Sequence, residues 1–505
     1  MEKIKQDILK VLEDHPSGLS INDIAKYCKY HRNTISPRLR SLLRKGNIKV
    51  KTTGKSKLYY LKHHAMIAEG AKHKEIKSKK NIFVGTGISK AEDPYKAGKE
   101  AVEMAIKKAG KAPDFGLVFF SAAKYGKKDK DVNALAKGAD DAFKKINPKC
   151  KWVGASARAE VSDYGFSENS VVAAAISSNY IRFGVGVGIN SDKDPEGAGR
   201  KAAAQAVSDV QMDKYVDPYM QFLAVKKKNV QGLLKMKPYF IMTIFPGPTM
   251  TYLPRDNAII NGIERVTGVQ PTFGGDAGED WSLTQTYTLV NGRAYKTGVV
   301  VVSIVSDLKM GFGVAHGYKK DSEVLVVTKA KGNIVYELNG EAAAQLYIKR
   351  TGTSMAQLKK FFLPTMAKAP MGITDIAGNY WINCPYAVGD KEGLVFFEPV
   401  KEGTAMCIMK TNPARVLKSA ESAIKQSTEG MRDLAVLFVF TCSTRMLSLK
   451  EQVPKETQLL KKVSKNKPFV GFYTYAEHAM LPTGSVQKHG FTFVCGAISN
   501  KMITE

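Results

Sequence analysis

The sequence predicts a body of mixed α/β or α+β layers, in which helices cover mixed sheets, preceded by a small head of three helices and a β-hairpin. Three observations carry this. Within residues 1–62, a 3.6-residue apolar period gives way to two short β-type runs. Beyond residue 80, strand-like apolar runs alternate with amphipathic helical stretches. A strand, helix, strand, turn, strand pattern also occurs three times in that body.

In the head, Ile4, Ile8, Val11 and Leu12 place one apolar stripe on a first helix that stops before Pro16-Ser17-Gly18. Ser20 with Asp23 gives the N-cap and acidic first turn of a second helix through Ile24, Ala25 and Tyr27. A third helix starts near Asn33-Thr34, with Ile35, Leu39, Leu42 and Leu43 buried and a cationic opposite face. Pro37 is expected in its first turn, where a missing N–H costs little, and Gly46 ends it. Ile48–Lys51 and Leu58–Leu61 then form a hairpin with the basic tip Thr52–Lys57.

This arrangement resembles the winged helix-turn-helix domains of prokaryotic regulators. The resemblance implies double-stranded DNA as a partner, with Arg32, Asn33, Ser36 and Arg40 near base edges in the major groove. Lys55 and Lys57 would meet phosphates, and Arg38 and Arg44 would add backbone charge. Contact with another protein is the competing use of such a head.

Charge supports a polyanionic partner. The chain of 505 residues carries a net +29, and residues 1–80 hold 20 Lys and Arg against 7 Asp and Glu. The segment 63–80, ending in KHKEIKSKK, reads as a basic linker. Six scattered cysteines without a CxxC pair, and no apolar run of membrane-spanning length, predict a cytoplasmic protein without membrane insertion.

In the body, Asp114 precedes LVFFS and is followed by VGASARAE (Val153–Glu160); Asp433 precedes LAVLFVFTC and is followed by VGFYTYAE (Val470–Glu477). A weaker third copy runs from YFIMTIF to FGGDAGED (Phe273–Asp280), and each copy is followed by an apolar run, SVVAAAI, GVVVVSIV or FTFVCGAI. The Gly-rich GVGVGIN (Gly184–Asn190) lacks a phosphate-loop lysine and reads as a strand.

The order of these turns, together with GYKKDSEVLVVTKAKGNIVYELNGEAAAQLY, EPVKEGTAM, FTCSTR and GFYTYAEHAM, resembles the FIST N and FIST C sensory domains. Ala476 and Gly490 depart from the family, which usually has Gly and Asn at those positions. The resemblance implies a FIST N-like domain at 81–316 and a FIST C-like domain at 317–505, binding a small-molecule ligand of the amino-acid kind.

Cys442, Arg445, Tyr473, Tyr475 and Glu477 follow adjacent strand ends, where such sheets open a crevice. Arg445 suits a carboxylate, Glu477 an ammonium group, and the tyrosines a wall with polar tips. Arg158 and Glu160, and Asp276 with Gly274 and Gly275, occupy corresponding turns. The plainer alternatives are an Arg445–Glu477 brace, packed aromatics and ordinary turn geometry.

Cys442 with His478 or His489 would be needed for a thiol enzyme, but no spacing demands one, so neither catalysis nor a cofactor is expected. No histidine spacing suits a metal. The expected function is a one-component, DNA-binding transcription regulator, working as a homodimer, that senses a small molecule. The alternatives are a sensory scaffold and the thiol enzyme.

Overall fold

The computed structural model describes the chain except residues 1, 14, 16–18, 54–55, 62–79, 211–238, 361–366, 375–377, 482–483 and 503–505. Lys55 and nearly all of the expected basic linker therefore lie outside the described residues. The chain divides into two compact units, Met1–Lys79 and Lys80–Glu505.

The first unit contains α1 (Glu2–Glu13), β1 (Leu19–Ser20), α2 (Ile21–Tyr27), α3 (Arg32–Arg44), β2 (Ile48–Thr53) and β3 (Ser56–Leu61), with strand order β1-β3-β2. Ile8, Leu12, Ile24, Ile35, Leu39 and Leu42 meet Ile48 and Leu61 in one core. The Ser20 side chain caps α2 by accepting from Asp23 N–H. His31 caps α3 earlier than expected, so Pro37 stands one turn inside the helix, where it deletes a helical N–H.

The second unit is built from three repeats of one plan. Repeat 1 comprises β4 (Phe83–Ser89), α4 (Pro94–Ala109), β5 (Phe115–Ser121), α5 (Asp129–Ile146), β6 (Lys151–Ala157), the hairpin β7 (Glu160–Ser162) and β8 (Gly165–Ser167), and β9 (Val171–Ser177). Repeat 2 comprises β10 (Ile181–Gly188), α6 (Pro195–Asp209), β11 (Tyr239–Phe245), α7 (Asp256–Thr267), β12 (Thr272–Asp276), the hairpin β13 (Thr288–Val290) and β14 (Arg293–Tyr295), and β15 (Val299–Ser306).

Repeat 3 opens with β16 (Leu308–Ala315). It is interrupted by an insert whose nine strands, β17–β25, lie between Lys319 and Lys410 and form one sheet. It resumes with α8 (Pro413–Ser427), β26 (Leu434–Cys442), α9 (Val453–Val463), β27 (Phe469–Thr474), the hairpin β28 (Glu477–Met480) and β29 (Val486–His489), and β30 (Phe493–Met502).

The sheets that result are not one per repeat. Their orders are β4-β9-β5-β6-β13-β14, β10-β15-β11-β12-β28-β29 and β16-β30-β26-β27-β7-β8. Each repeat supplies four strands of its own sheet and lends its hairpin to another. The hairpin of repeat 1 completes the sheet of repeat 3, that of repeat 2 completes repeat 1, and that of repeat 3 completes repeat 2.

The three sheets turn one face toward a common core that includes Phe119, Met242, Phe273, Phe438 and Phe472. Helix pairs α4/α5, α6/α7 and α8/α9 cover the other faces. Burial on both sides explains the continuous apolar runs such as VVVVSIV. Among the described residues, no helix is long and apolar enough to cross a membrane.

Local chemistry repeats with the fold. Asp93-Pro94, Asp194-Pro195 and Asn412-Pro413 open α4, α6 and α8, each carboxyl or amide oxygen capping a main-chain N–H with Pro in the first turn. GVGVGIN is largely strand β10, and its glycines lie against α6 carbonyls: a Cβ on Gly186 would stand 2.0 Å from Ala202 O. Gly154, Gly274 and Gly471, the glycines of the recurring turn motif, face the Val118, Thr243 and Val439 carbonyls, where a Cβ would come within 1.9, 2.1 and 1.8 Å.

Gly471→Ala is accordingly expected to cost about 1–3 kcal/mol or more through overpacking. Urea unfolding of the full chain measures this, and an unchanged midpoint would contradict the close packing assigned to the motif.

Candidate functional site

A cavity of about 660 Å³ opens where repeats 2 and 3 meet the insert. Parallel strands β11/β12 and β26/β27 direct their C-terminal ends there, bringing Pro248, Asp276, Cys442 and Tyr475 to it. The β28–β29 hairpin adds Lys488 and His489, and the insert adds Trp381, Tyr386, Phe397 and Glu398.

One wall is the loop after β12. Its Trp281 and Leu283 both have left-handed backbone, with φ of 66° and 53°. Such conformations cost about 1–3 kcal/mol in a non-glycine residue and persist only where neighbours enforce them. Glu279 is the enforcer: its carboxylate accepts from Ser282 and Leu283 N–H at 3.0 and 2.9 Å and from the Tyr475 hydroxyl. Trp281 donates from Nε1 to Ser443 Oγ at 3.2 Å, and the Arg158 guanidinium lies 4.9 Å from its ring centre.

The base is charged and buried. Lys488 Nζ lies 2.6 Å from Asp256 Oδ2 and 3.4 Å from Glu398 Oε1. Asn257 Nδ2 donates to Glu398 at 3.1 Å, and Lys488 N–H donates to Asn257. His478 places Nδ1 3.0 Å from Thr243 Oγ1 and Nε2 3.0 Å from Asp276 Oδ1. Burial and then the Asp256 charge hold the Asp276 carboxyl well above the usual range, and burial also raises Glu398. Burial pushes His478 and His489 each down to about 4. Burial opposes the Lys488 ammonium too, but Asp256, Glu398 and Asp276 outweigh it and hold the group charged.

Of the residues read from sequence as ligand contacts, Cys442 and Tyr475 line this cavity. The others are not among its lining residues. Arg445 is fully buried: Nη1 donates to Ser419 Oγ at 3.0 Å, Nη2 to Val416 O at 2.9 Å, and the guanidinium pairs with Glu456. Tyr473 donates to the same Glu456 at 3.0 Å. The brace thus joins α8 and α9 behind β26, and Arg445 does not pair with Glu477.

Glu477 accepts from the Thr474 and Thr492 hydroxyls at 2.6 and 2.7 Å, and burial pushes it up to about 8. Glu160, its counterpart, accepts from Ser170 Oγ at 2.6 Å, while Arg158 pairs with Glu168 at 2.6 Å. The two glutamates open exchanged hairpins and tie them back to the start of their own repeat's last strand. That role explains the recurring acid of the motif.

Burial and the Glu477 charge raise the Cys442 thiol well above its usual range. Its hydrogen-bond partners are the Thr444 hydroxyl at 2.9 Å and the Tyr475 carbonyl. His489 instead contacts Ala479 O at 3.3 Å. A protonated thiol without an imidazole partner is a poor nucleophile.

Sequence reasoning missed Asp256, Glu398, Lys488 and the tryptophans, and took His478 only as a base. One signal was present: Asp256 stands at the head of the buried stripe Ile259, Ile260, Ile263 of α7, where an apolar residue belongs.

In the head, Arg32, Asn33, Arg40, Arg44 and Lys57 are exposed. Ser36 and Arg38 are half-buried, and Arg38 donates to Thr34 O at 3.1 Å.

Removing one partner of a buried ion pair strands the other charge, so Arg445→Ala should cost about 3–5 kcal/mol in chemical unfolding. A stability unchanged by that substitution would refute the brace.

Glu160 gives a pH-dependent outcome. Burial raises its folded pKa well above the usual value, with Glu168 raising it further and Ser170 and Arg158 opposing. Its contribution is therefore present at low pH and lost as pH rises through the folded value. Glu160→Gln keeps an acceptor for Ser170 but cannot ionise. The melting-temperature advantage of the variant over the wild type should grow from pH 5 to pH 9; a constant difference would mean Glu160 does not titrate as described.

The FIST N domain matches residues 82–341 and the FIST C domain residues 343–480. An uncharacterized protein of Methanocaldococcus jannaschii is 30% identical over 185 residues, which are 35% of this chain and 36% of that protein. The match thus spans only about a third of the curated relative's length. Among solved structures, cyanuric acid hydrolase from A. caulinodans shares 10% identity over 54% of this chain and 84% of its own, at a TM-score of 0.25. T. maritima PurL complexed with ATP shares 11% identity over 83% of this chain and 71% of its own, at 0.19. These two likenesses are too slight to carry an argument. The two domain matches together run almost unbroken from residue 82 to residue 480, and the chain belongs to the FIST family.

Proposed function

We propose that this protein is a small-molecule sensor whose ligand occupies the cavity at the junction of repeats 2 and 3 with the insert. The observation that carries the reading is the cavity itself: about 660 Å³, walled by Trp281, Trp381, Tyr386 and Phe397 over a base where Asp276 and Glu398 meet Lys488. Aromatic walls suit a ligand bearing an ammonium group. Lys360, exposed at the lining, offers a cation for a carboxylate, so a compact zwitterion of the amino-acid kind fits the chemistry. The FIST family membership supports a sensory, signal-transducing role.

The head is proposed to be a winged helix-turn-helix that reads double-stranded DNA, making the chain a one-component transcription regulator and, by half-site geometry, a homodimer. Supporting this are the exposed Arg32, Asn33, Arg40 and Arg44 on α3 and Lys57 on the hairpin. In this division the head is 1–62, the basic linker 63–80, and the FIST N-like and FIST C-like parts 81–316 and 317–505. We further propose that the chain is not an enzyme; burial of the Cys442 thiol argues against the thiol-dependent alternative.

Sensing requires that ligand and DNA alter each other's affinity. Thermal-shift screening of the full chain against amino acids and related amines should return a selective hit. Saturation at about 100 times Kd corresponds to roughly 2.7 kcal/mol, and Trp381→Ala should remove it. The hit should change DNA affinity in fluorescence anisotropy, with Arg40→Ala relaxing base preference and Lys57→Ala lowering the salt slope by about 1. A panel without hits would sink the sensor. Ligand and DNA binding that ignore one another would sink the regulator alone.

A further inference from the structure

The three repeats allow the fold's own requirements to be separated from additions to it. At the second residue after the motif glycine they carry Ser156, Asp276 and Tyr473; at the second residue of the exchanged hairpin they carry Val161, Leu289 and His478. The same backbone therefore closes with a small or aromatic side chain at the first position and an aliphatic one at the second. At the junction of β12 with β28, and there alone among the three junctions, a buried carboxylate meets a buried imidazole.

Asp256, the first residue of α7, brings a second carboxylate. Asp256, Asp276 and His478 are all completely buried, and one donor atom from each lies within 4.8 Å of the others. Among the described residues, neither oxygen of Asp276 and not the Nε2 of His478 makes a hydrogen bond. The 3.0 Å approach of Nε2 to Asp276 Oδ1 lacks hydrogen-bond alignment. Such unpartnered buried groups are costly unless a cation or a shared proton lies between them. Lys488 supplies a cation to Asp256 and Glu398.

We propose that Asp256, Asp276 and His478 bind one first-row divalent cation, Zn²⁺ or Mn²⁺ in class, at the base of the cavity. Two carboxylates and one imidazole are a hard-to-borderline donor set suited to such ions. The imidazole is already oriented for the role: with Nδ1 carrying the proton and donating to Thr243 Oγ1 at 3.0 Å, Nε2 presents its lone pair to the carboxylates. Gly274, paired with both Thr243 and His478, makes that bond possible, since a Cβ there would lie 2.2 Å from Thr243 Oγ1. Three protein donors leave coordination positions open, and Asp276 also lines the cavity, so a bound cation stands within reach of its contents. The proposal adds a metal where no histidine spacing in the sequence indicated one.

The test uses the full-length chain, stripped with a chelator and then titrated with Co²⁺ as a spectroscopic probe and with Zn²⁺ and Mn²⁺ by calorimetry, without organic ligand. One equivalent should bind. His478→Gln and Asp276→Asn should weaken binding at least 100-fold and His478→Gln should abolish the Co²⁺ visible band, while His15→Gln in the head leaves both unchanged. If either site variant fails to fold, the wild type still decides: its melting temperature should rise with one equivalent of metal and fall with chelator. Less than stoichiometric uptake by folded wild type, or equal affinity in folded site variants, overturns the site and means that His478 Nε2 simply carries a proton toward Asp276. The sensor reading survives that outcome, because it is tested by organic ligands alone.

Discussion

Every six-stranded sheet in the body ends in two strands borrowed from another repeat. A strand edge presents unpaired N–H and C=O groups that demand a partner, and here β6, β12 and β27 each find it in a hairpin from elsewhere in the chain. The borrowing runs in a closed circuit, so no repeat completes its sheet alone. The shared core then draws side chains from all three sheets, so it belongs to the three repeats together. Glu160 and Glu477 hold two of the hairpins at their first residues, through Ser170 and Thr492.

The cavity lies where this circuit is interrupted. The insert breaks repeat 3 between β16 and α8, and its side chains face the junction at which repeat 3 lends its hairpin to repeat 2. The hairpin thus does two jobs. It completes a sheet, and it carries Lys488 and His489 to a cavity whose other walls come from distant parts of the chain, with His478 behind them beside Asp276. The cost of burying this many polar groups is offset by pairing: Lys488 with Asp256 and Glu398, Glu279 with two main-chain N–H groups.

Much of the architecture was legible because it rests on local periodicity. The head's apolar stripe, the reading of GVGVGIN as a strand and the three-fold recurrence all came from spacing, and Ile8, Ile35 and Leu39 do form the head core. The shared motif was read with ligand chemistry beside ordinary turn geometry, and the structure gives it a part in sheet closure: the glycines admit a neighbouring carbonyl, and Glu160 and Glu477 tie hairpins back.

The sequence by itself determined the mixed-layer body, the basic head, the FIST membership and two cavity residues, Cys442 and Tyr475, because each depends on near-neighbour pattern or ordered motifs. The tertiary structure decided the rest. Arg445 went to Glu456 and away from a ligand, because α8 and α9 place a carboxylate and a carbonyl around it. Asp256, Asp276, Glu398, His478 and Lys488 are separated by up to 232 positions and come together only when a borrowed hairpin and an insert close over one sheet. Sequence spacing carries no trace of that meeting, since hairpin exchange relates residues by strand register and not by distance along the chain.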